Sequence, residues 1–450
     1  MIQLVNPFTK DVYKEIELEN TSITRSKIES AEKAFQSWKT TSFDERAKAL
    51  KHIADHLVKE KDPLAETMTQ EMGKPIAQAK AEVEKCAWVC NFYADNGAKF
   101  LADKNISTDA SNSYVTYQPY GVILAIMPWN YPLWQVFRFL APAIMCGNTA
   151  LLKHAPNTFQ SAKNIAEVLE KAGLPKNVFQ NLFIDVDQVE DVIADPVVKA
   201  VSFTGSTTAG SKVAQLAGKY LKKSVLELGG SNALVVFKDA DLDQTAKTCI
   251  QARFQNNGQS CIAGKRLFIQ ADIYDTFIQK LINQVKQLKI GDPLDKDTYI
   301  SVMARQDLAN ELKNQLDDAL QKGAQLIYGG KQDGTYFEPS IISNCNDSMK
   351  VMQEETFGPL LAIEKFNEES KIAHQAKATP YALGCSIFTK DDNIINKMLR
   401  DIREPAIFIN ELVKSDPRLP FGGFKHSGYG RELSAEGIRE FSLIQTIYEK

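Results

Sequence analysis

The residue best suited to covalent chemistry is a cysteine in a short polar segment. Cys261 lies within FQNNGQSCIAGKR, where small and amide-bearing residues flank it and Gly258 and Gly264 favour tight turns. A thiol in such a loop is accessible, whereas a cysteine in an apolar stretch is usually a small buried residue. We therefore predict that Cys261 is a nucleophile and that the other six cysteines are buried: Cys86, Cys90, Cys146, Cys249, Cys345 and Cys385.

The candidate general base is a carboxylate, because none of the five histidines lies in a pattern that marks a base for Cys261. Glu227 ends the apolar run of KSVLELGG, directly before two glycines. Partial burial at that position raises the pKa of a carboxyl group toward neutrality, which suits it to activate water. His52 and His56 have the spacing of a metal-binding pair, but no third ligand accompanies them, so we predict no metal site.

Two kinds of segment must position these residues. Residues 26–100 have the spacing of amphipathic helices, and Ser42 with Glu45 matches a helix capping box. After residue 113, short apolar runs alternate with helix-like segments, which is typical of βαβ units in an α/β fold with parallel strands. The predicted strands are 122–127, 149–153, 178–184, 200–203 and 225–228, followed after Gly230 by 233–237, 266–269, 325–328, 360–366, 384–388 and 406–409. Residues 112–119 and the tail 442–450 read as a separate small β arm.

Composition excludes several classes of protein. The chain has 450 residues, which favours two or three domains, and 53 basic against 56 acidic residues give no basic face for nucleic acid or an anionic membrane. Seven scattered cysteines do not form a disulfide framework. The first residues show no signal-peptide pattern, and the apolar stretch 121–134 is too short and too broken by prolines to span a bilayer. We expect a cytoplasmic enzyme or binding protein.

Six motifs in order resemble those of the aldehyde dehydrogenase superfamily. They are MPWNYP (127–132), VSFTGS (201–206), VLELGGSN around Glu227, NNGQSC ending at Cys261, EETFGP (354–359) and PFGGFKHSGYGRE (420–432). Each motif alone is weak evidence, but six with family-like spacing across the whole chain are highly specific. The strings LWQVFRF (133–139), LLKHAPN (151–157) and VKSDPRLPFGG (413–423) are similar to the succinate-semialdehyde dehydrogenase branch.

The resemblance implies a fold of three parts. A Rossmann-type cofactor domain is expected over 1–111 and 121–228, an α/β catalytic domain over 229–432, and an oligomerisation arm over 112–120 and 433–450. The arm is expected to pair with a neighbouring subunit, as edge strands readily do, in a homodimer or homotetramer.

The resemblance also implies catalytic roles. Cys261 is expected to add to the aldehyde carbon, and Asn130 together with the Cys261 backbone N–H to stabilise the oxyanion. Hydride transfer to a nicotinamide cofactor then leaves a thioester, and Glu227 activates the water that hydrolyses it to a carboxylic acid.

The usual dinucleotide fingerprint G-x-G-x-x-G is absent, and the resemblance implies a variant turn at 203–206 in its place. The implied cofactor-binding residues are Trp129, Lys153, Gly205, Ser206, Gly210, Leu228, Glu355 and Phe357. Ser206 either bonds a phosphate oxygen or only caps a helix.

One position departs from the family pattern. Members that prefer NAD usually carry a glutamate three residues after the lysine that matches Lys153, and here that residue is Pro156. Without the carboxylate, a 2′-phosphate meets no repulsion, so we expect NADP to be accepted with Lys153 as its charge partner. The sequence leaves open whether NAD is also used or preferred.

Arg138 is the candidate for substrate selection. It lies in the otherwise apolar run WQVFRFLAPAI, where its guanidinium either reaches solvent or points into a substrate tunnel. The branch resemblance favours the tunnel and binding of the far carboxylate of a semialdehyde, with Ser260 and Ser415 as assisting hydroxyls.

Several alternatives stay open at this point. The enzyme is either specific for succinate semialdehyde or a glutarate-semialdehyde or general aliphatic aldehyde dehydrogenase, since one methylene changes discrimination by only about 1–3 kcal/mol. An enzyme that passes the acyl group to coenzyme A is disfavoured by Glu227, and a non-catalytic relative is disfavoured by the retention of Cys261, Glu227 and Asn130.

Overall fold

Fifteen α-helices run through the chain, which the computed structural model describes from residue 1 to residue 450. The second helix begins with the capping box expected from the sequence, because Ser42 Oγ accepts the Glu45 N–H and the Glu45 carboxylate accepts the Ser42 N–H. No helix is long and apolar enough to cross a membrane. The helices are α1 (Thr21–Trp38), α2 (Phe43–Lys59), α3 (Lys61–Met72), α4 (Ile76–Phe100), α5 (Trp134–Cys146), α6 (Phe159–Lys171), α7 (Val189–Ala194), α8 (Thr207–Lys219), α9 (Leu242–Phe254), α10 (Tyr274–Val285), α11 (Gln306–Gln321), α12 (Lys350–Gln353), α13 (Glu369–Ala376), α14 (Asp392–Asp401) and α15 (Ser434–Glu440).

Twenty-two strands form two large sheets and four small ones. They are β1 (Ile2–Val5), β2 (Val12–Ile16), β3 (Lys104–Asn105), β4 (Asn112–Pro119), β5 (Val122–Met127), β6 (Thr149–His154), β7 (Phe179–Asn181), β8 (Val198–Thr204), β9 (Lys223–Glu227), β10 (Asn232–Val236), β11 (Gly264–Gln270), β12 (Gln325–Tyr328), β13 (Gln332–Asp333), β14 (Tyr336–Phe337), β15 (Ser340–Ser343), β16 (Leu360–Phe366), β17 (Tyr381–Ala382), β18 (Cys385–Phe388), β19 (Ile407–Ile409), β20 (Phe424–Lys425), β21 (Gly428–Tyr429) and β22 (Ser442–Glu449).

The first sheet has the order β21–β9–β8–β5–β6–β7, and all of its strands except β21 are parallel. Its central strands are nearly continuous apolar runs because both faces are covered. One face packs on a core that includes α2, α4, α5 and α6, and the other on a core that includes α1, α7 and α8. Each of the five apolar runs predicted between 122 and 228 overlaps a strand of this sheet, although the third strand is shorter than expected, Phe179–Asn181.

The second sheet has the order β12–β15–β16–β11–β10–β18–β19 and is parallel except for β12. Two separate apolar cores cover its two faces. The α/β class predicted from the alternating pattern is therefore confirmed. The predicted domain limits at residues 111, 120, 228 and 432 stay a prediction.

The arm consists of β3, β4 and β22. Residues 442–449 pair antiparallel with 112–119 over their whole length, as the alternating pattern of both segments indicates. β22 is an edge strand, and its apolar side chains Leu443, Ile444 and Tyr448 are at least half exposed.

The junction between the two large sheets positions the functional residues. β5, β8 and β9 of the first sheet end at Met127, Thr204 and Glu227, so the segments that follow them emerge at one edge. The chain then crosses from β9 to β10 through only four residues, 228–231, and β11 begins three residues after Cys261. Ligands of open α/β sheets bind at the carboxyl ends of the strands, so this junction is the natural place for a site.

Candidate active site

The loop that carries Cys261 is held in an unusual backbone conformation. Asn256, Asn257 and Gly258 have φ angles of 57°, 53° and 70°, which asparagine and glycine tolerate better than other residues. The Asn256 amide donates to the carbonyls of Asn130 and Gln259, at 2.9 and 3.0 Å. These buried bonds fix the loop, and Cys261 at its end is partly exposed while the other six cysteines are buried, as predicted.

Cys261 lies between two cavities. The larger cavity has a volume of about 500 Å³ and is lined by 23 residues. They include Cys261, Glu82, Lys85, Tyr131, Trp134, Gln135, Arg138, Ser260, Glu411, Lys414, Ser415 and Phe421. The smaller cavity, of about 210 Å³, is lined by Cys261 together with Pro128, Trp129, Asn130, Gln135, Thr204, Gly205, Ser206, Leu228, Gly229, Leu308, Glu355 and Phe357. Only Cys261 and Gln135 line both. Molecules bound in the two cavities therefore approach each other at the sulfur.

Two N–H donors are available beside this sulfur. Asn130 follows β5, lines the smaller cavity and donates one amide N–H to the Gln259 carbonyl at 3.2 Å, which orients the amide and leaves its second N–H free. The backbone N–H of Cys261 donates no hydrogen bond within the protein. An amide side chain and a free backbone N–H of this kind can stabilise an oxyanion formed on a carbon bonded to the sulfur.

Opposing effects act on the Cys261 thiol. Burial raises its pKa to about 11, while the cations of Lys265 and Arg138 act to lower it. Lys265 is fixed by donating to the Cys261 carbonyl at 2.8 Å and to Glu355 Oε1 at 3.0 Å. Without ligands, the thiol is therefore protonated at neutral pH, and ionisation makes it nucleophilic.

Glu227 ends β9 and is buried. Burial, and then the nearby Glu432 carboxylate, raise its pKa to about 8, in the direction predicted from the sequence. Its Oε1 atom has no hydrogen-bond partner. Glu227 does not line either cavity itself, but it precedes Leu228, which lines the smaller one, and its charge acts on the Cys261 thiol. A carboxyl group with this pKa and a free oxygen can accept a proton from water.

Arg138 points inward, and this decides between the two orientations that the sequence left open. It is only 2% exposed, lines the larger cavity and forms an ion pair with the buried Glu432. Its guanidinium also donates to Thr204 Oγ1 at 3.3 Å and lies 4.7 Å from the centre of the Phe421 ring. Part of its charge is therefore already compensated by the protein. Ser260 and Ser415 are buried in the wall of the same cavity.

Six of the eight residues predicted to bind a cofactor line the smaller cavity: Trp129, Gly205, Ser206, Leu228, Glu355 and Phe357. Trp129 and Phe357 meet edge to face at 5.6 Å, and Glu355 is held by Lys265 and the Gly230 N–H. Ser206 caps α8 by accepting the Ala209 N–H at 3.3 Å, so the N-terminus of this helix lies at the cavity.

Lys153 and Gly210 lie outside that lining. Gly210 is in the first turn of α8, where an added Cβ would collide with the Leu228 side chain, so its role in the structure is close packing. Lys153 lies near the end of β6 and is 6% exposed, and its side chain makes neither an ion pair nor a hydrogen bond, although the charge of Asp185 acts on it. Pro156 opens the turn that follows, and the buried Nδ2 of Asn157 in this turn has no acceptor.

The sequence analysis did not identify several residues that the structure places at the site. Lys265 and Glu432 lie within the quoted motifs, so their segments were recognised but their charges were not assigned a role. Gln135 also lies within a quoted string, LWQVFRF, and lines both cavities, but it was not assigned a role. Lys85 lies on α4, about 175 residues before Cys261, and nothing in the local pattern distinguishes it from a solvated lysine.

Comparisons with known proteins agree with this geometry. The profile of the Aldehyde dehydrogenase family matches residues 1–447. The chain is 43% identical over 451 residues to a probable succinate-semialdehyde dehydrogenase (NADP+) of Synechocystis sp., and 42% identical over 454 residues to succinate-semialdehyde dehydrogenase (NADP+) 1 of Mycobacterium ulcerans, with 99% of each chain covered in both cases. The crystal structure of a succinic semialdehyde dehydrogenase from Streptococcus pyogenes, in complex with NADP+, matches with a TM-score of 0.97 at 36% identity, over 100% of this chain and 99% of that one. These findings confirm the resemblance stated from the motifs.

Proposed function

Because the chain belongs to the aldehyde dehydrogenase family, we propose that it oxidises succinate semialdehyde to succinate with NADP as the hydride acceptor. The observation that carries this proposal is the position of Cys261 between a cavity lined by cations and hydroxyls and a second cavity beside a helix N-terminus. The activity in the names of the two relatives supports both the substrate and the nucleotide.

Covalent addition begins at Cys261. The ionised sulfur forms a bond to the aldehyde carbon, and the electron pair of the carbonyl bond moves to oxygen. The Cys261 N–H and the free amide N–H of Asn130 donate to this oxyanion. One donor of this kind typically lowers the barrier by about 3 kcal/mol, because it is already oriented before charge develops.

The second half of the reaction restores the thiol. The nicotinamide, when bound, supplies the hydride acceptor, and Cys261 is left as a thioester. Glu227 takes a proton from water, the resulting hydroxide attacks the thioester carbon, and the carbon–sulfur bond breaks. The sulfur leaves as thiolate, so the overall products are the carboxylate, the reduced nucleotide and two protons.

We assign the recognition of the far carboxylate to the wall of the larger cavity. Arg138, Ser260 and Ser415 line it together with Cys261, so one bound semialdehyde faces the nucleophile and these polar groups at once. A guanidinium and hydroxyls are suitable donors for a carboxylate.

The residues around Lys153 suit a nucleotide that carries a 2′-phosphate. A buried lysine without a partner is costly, so Lys153 is suited to an additional anion such as a 2′-phosphate, and the free Nδ2 of Asn157 offers a further donor nearby. Pro156 brings no carboxylate to this turn. The residues therefore fit NADP: Lys153 would hold the 2′-phosphate, and the residues that line the smaller cavity would hold the nicotinamide end.

We further propose that the enzyme acts in the cytoplasm as a homo-oligomer. All seven cysteines are free, as is usual in a reducing compartment. The exposed apolar residues of the edge strand β22 suit pairing with a second copy of the chain. Light scattering of wild type and of an Ile444→Lys variant tests this: loss of the oligomer in the variant is expected, and a monomeric wild type would contradict it.

The test of the activity compares substrates and nucleotides. The purified enzyme is assayed with succinate semialdehyde, glutarate semialdehyde and butanal, each with NADP or NAD, by the absorbance of the reduced nicotinamide. We expect the highest kcat/KM for succinate semialdehyde with NADP, without added coenzyme A. An equal kcat/KM for butanal would overturn the assignment of succinate semialdehyde as the substrate. A preference for NAD above about 100-fold would overturn the assignment of NADP as the nucleotide.

A further inference from the structure

The larger cavity contains one cation that no carboxylate of the protein neutralises. Three basic side chains line it: Lys85, Arg138 and Lys414. Arg138 is paired with Glu432, and Lys414 is paired with Glu411 at 3.1 Å. Lys85 has no carboxylate within 4.0 Å. The protein therefore leaves one positive charge available at the wall of this cavity.

Neighbouring side chains hold Lys85 in a defined position. Its Nζ atom donates to Ser415 Oγ at 2.8 Å and lies 4.2 Å from the centre of the Trp134 ring. Both Ser415 and Trp134 are buried and line the same cavity. Because the Ser415 oxygen accepts from Lys85, its hydroxyl hydrogen is free to donate elsewhere, and the ammonium and hydroxyl form an adjacent donor pair.

The charges around Lys85 favour an anion. Burial, and then the nearby Arg138, lower its pKa to about 8, while the carboxylates of Glu82 and Asp416 act in the opposite direction. Both of these carboxylates already have partners within the protein: Glu82 is paired with Lys74 and accepts the N–H groups at the start of α5, and Asp416 is paired with Arg418. A bound carboxylate would restore the charge balance.

We propose that Lys85, with Ser415, binds the far carboxylate of the substrate and is the main determinant of preference for a carboxylated aldehyde. This inference rests on the proposed function and assigns a different residue to its specificity. Arg138 then acts beside Lys85, because the charge of Arg138 is largely balanced by Glu432.

The kinetic test uses three substitutions on one helix. Lys85→Met removes the charge with similar length, Lys85→Arg retains a charge, and Lys80→Met is the matched control, because Lys80 lies on α4 but pairs with Asp62 outside the cavity. Each variant is assayed with succinate semialdehyde and with butanal, the uncharged four-carbon aldehyde. Unfolding midpoints in urea establish that each variant is folded, and Lys85→Gln replaces Lys85→Met if the latter does not fold.

We expect Lys85→Met to raise KM for succinate semialdehyde about 10- to 100-fold, as the loss of a hydrogen-bonded charge does, while KM for butanal and both kcat values change by less than about 3-fold. Lys85→Arg recovers most of the affinity, and Lys80→Met matches wild type. An unchanged KM for succinate semialdehyde in Lys85→Met, or equal increases for both aldehydes, overturns the inference.

Binding without turnover separates this inference from the proposed function. Calorimetric titration of succinate into wild type and Lys85→Met measures carboxylate recognition directly. Weaker succinate binding in the variant supports the role of Lys85, and equal binding overturns it. A different result refutes the proposed function: wild-type enzyme that turns over butanal as efficiently as succinate semialdehyde.

Discussion

The buried pair of Arg138 and Glu432 links the wall of the larger cavity to the Glu227 carboxyl group, and its removal has an effect on stability that can be worked out. Glu432 is 4% exposed, its oxygens accept no hydrogen bond, and Arg138 is the one cation in contact with it. Arg138→Met therefore leaves an uncompensated buried carboxylate. The double variant Arg138→Met/Glu432→Met instead replaces the pair with apolar side chains of similar volume.

The magnitudes follow from the cost of burying charge. Breaking a buried pair by removing one partner typically costs about 3–5 kcal/mol, whereas replacing the whole pair with packed apolar groups is often neutral. The contacts of Arg138 with Thr204 and Phe421 are lost in both variants and account for about 1 kcal/mol. We expect the free energy of unfolding to fall by about 4 kcal/mol in Arg138→Met and by about 1 kcal/mol in the double variant.

Urea unfolding followed by tryptophan fluorescence measures these differences, with Glu432→Met completing the thermodynamic cycle. The second substitution is expected to restore about 3 kcal/mol, so the two substitutions are strongly non-additive. A double variant no more stable than Arg138→Met refutes the assignment of a buried, mutually dependent pair. A stable Arg138→Met variant would show that Glu432 finds another partner or reaches water.

Three further outcomes are expected. In Glu227→Gln, steady-state turnover falls about 10²- to 10⁴-fold while a single burst of reduced nucleotide remains, and loss of the burst would contradict the role of Glu227 as the base. In wild type, the rate of thioester hydrolysis increases with pH around a midpoint of about 8, because the Glu227 carboxyl group must ionise before it can accept a proton. The rate of Cys261 alkylation in the ligand-free enzyme continues to rise with pH above pH 9, since burial raises the thiol pKa to about 11. A rate that reaches a plateau below pH 9 would contradict this. Glu82→Gln lowers the free energy of unfolding by about 2–4 kcal/mol, because the Glu82 carboxylate accepts the N–H groups of Leu133 and Trp134 and pairs with the buried Lys74. An unchanged midpoint of urea unfolding would refute this expectation.

Periodicity predicted the regular part of the fold well. The strand limits 122–127 and 360–366 agree with β5 and β16, because β5 is a continuous apolar run and β16 begins with four buried apolar residues. The hairpin β1–β2 was not predicted, since its residues are mostly exposed and carry no apolar repeat. β15 was also missed, because four residues between irregular segments give too short a signal.

The candidate site was predicted where its residues lie in local motifs. Cys261 was identified by the polar loop around it, and Glu227 by its place at the end of an apolar strand before two glycines. The structure places both at the junction of the two large sheets, although Glu227 does not itself line either cavity. Their catalytic roles stay predictions until the variants above are measured.

The amino-acid sequence by itself determined the alternation of strands and helices and predicted the candidate nucleophile, amide and carboxylate, because these depend on residue types and spacings within short segments. Tertiary structure alone decided which charges meet: Arg138 with Glu432, and Lys85 with Ser415, separated along the chain by 294 and 330 residues. A local pattern cannot distinguish a lysine paired with a carboxylate from one left free, because pairing depends on distances set by the packing of helices and sheets. In this protein that packing leaves one cation unpaired in the cavity beside the nucleophile.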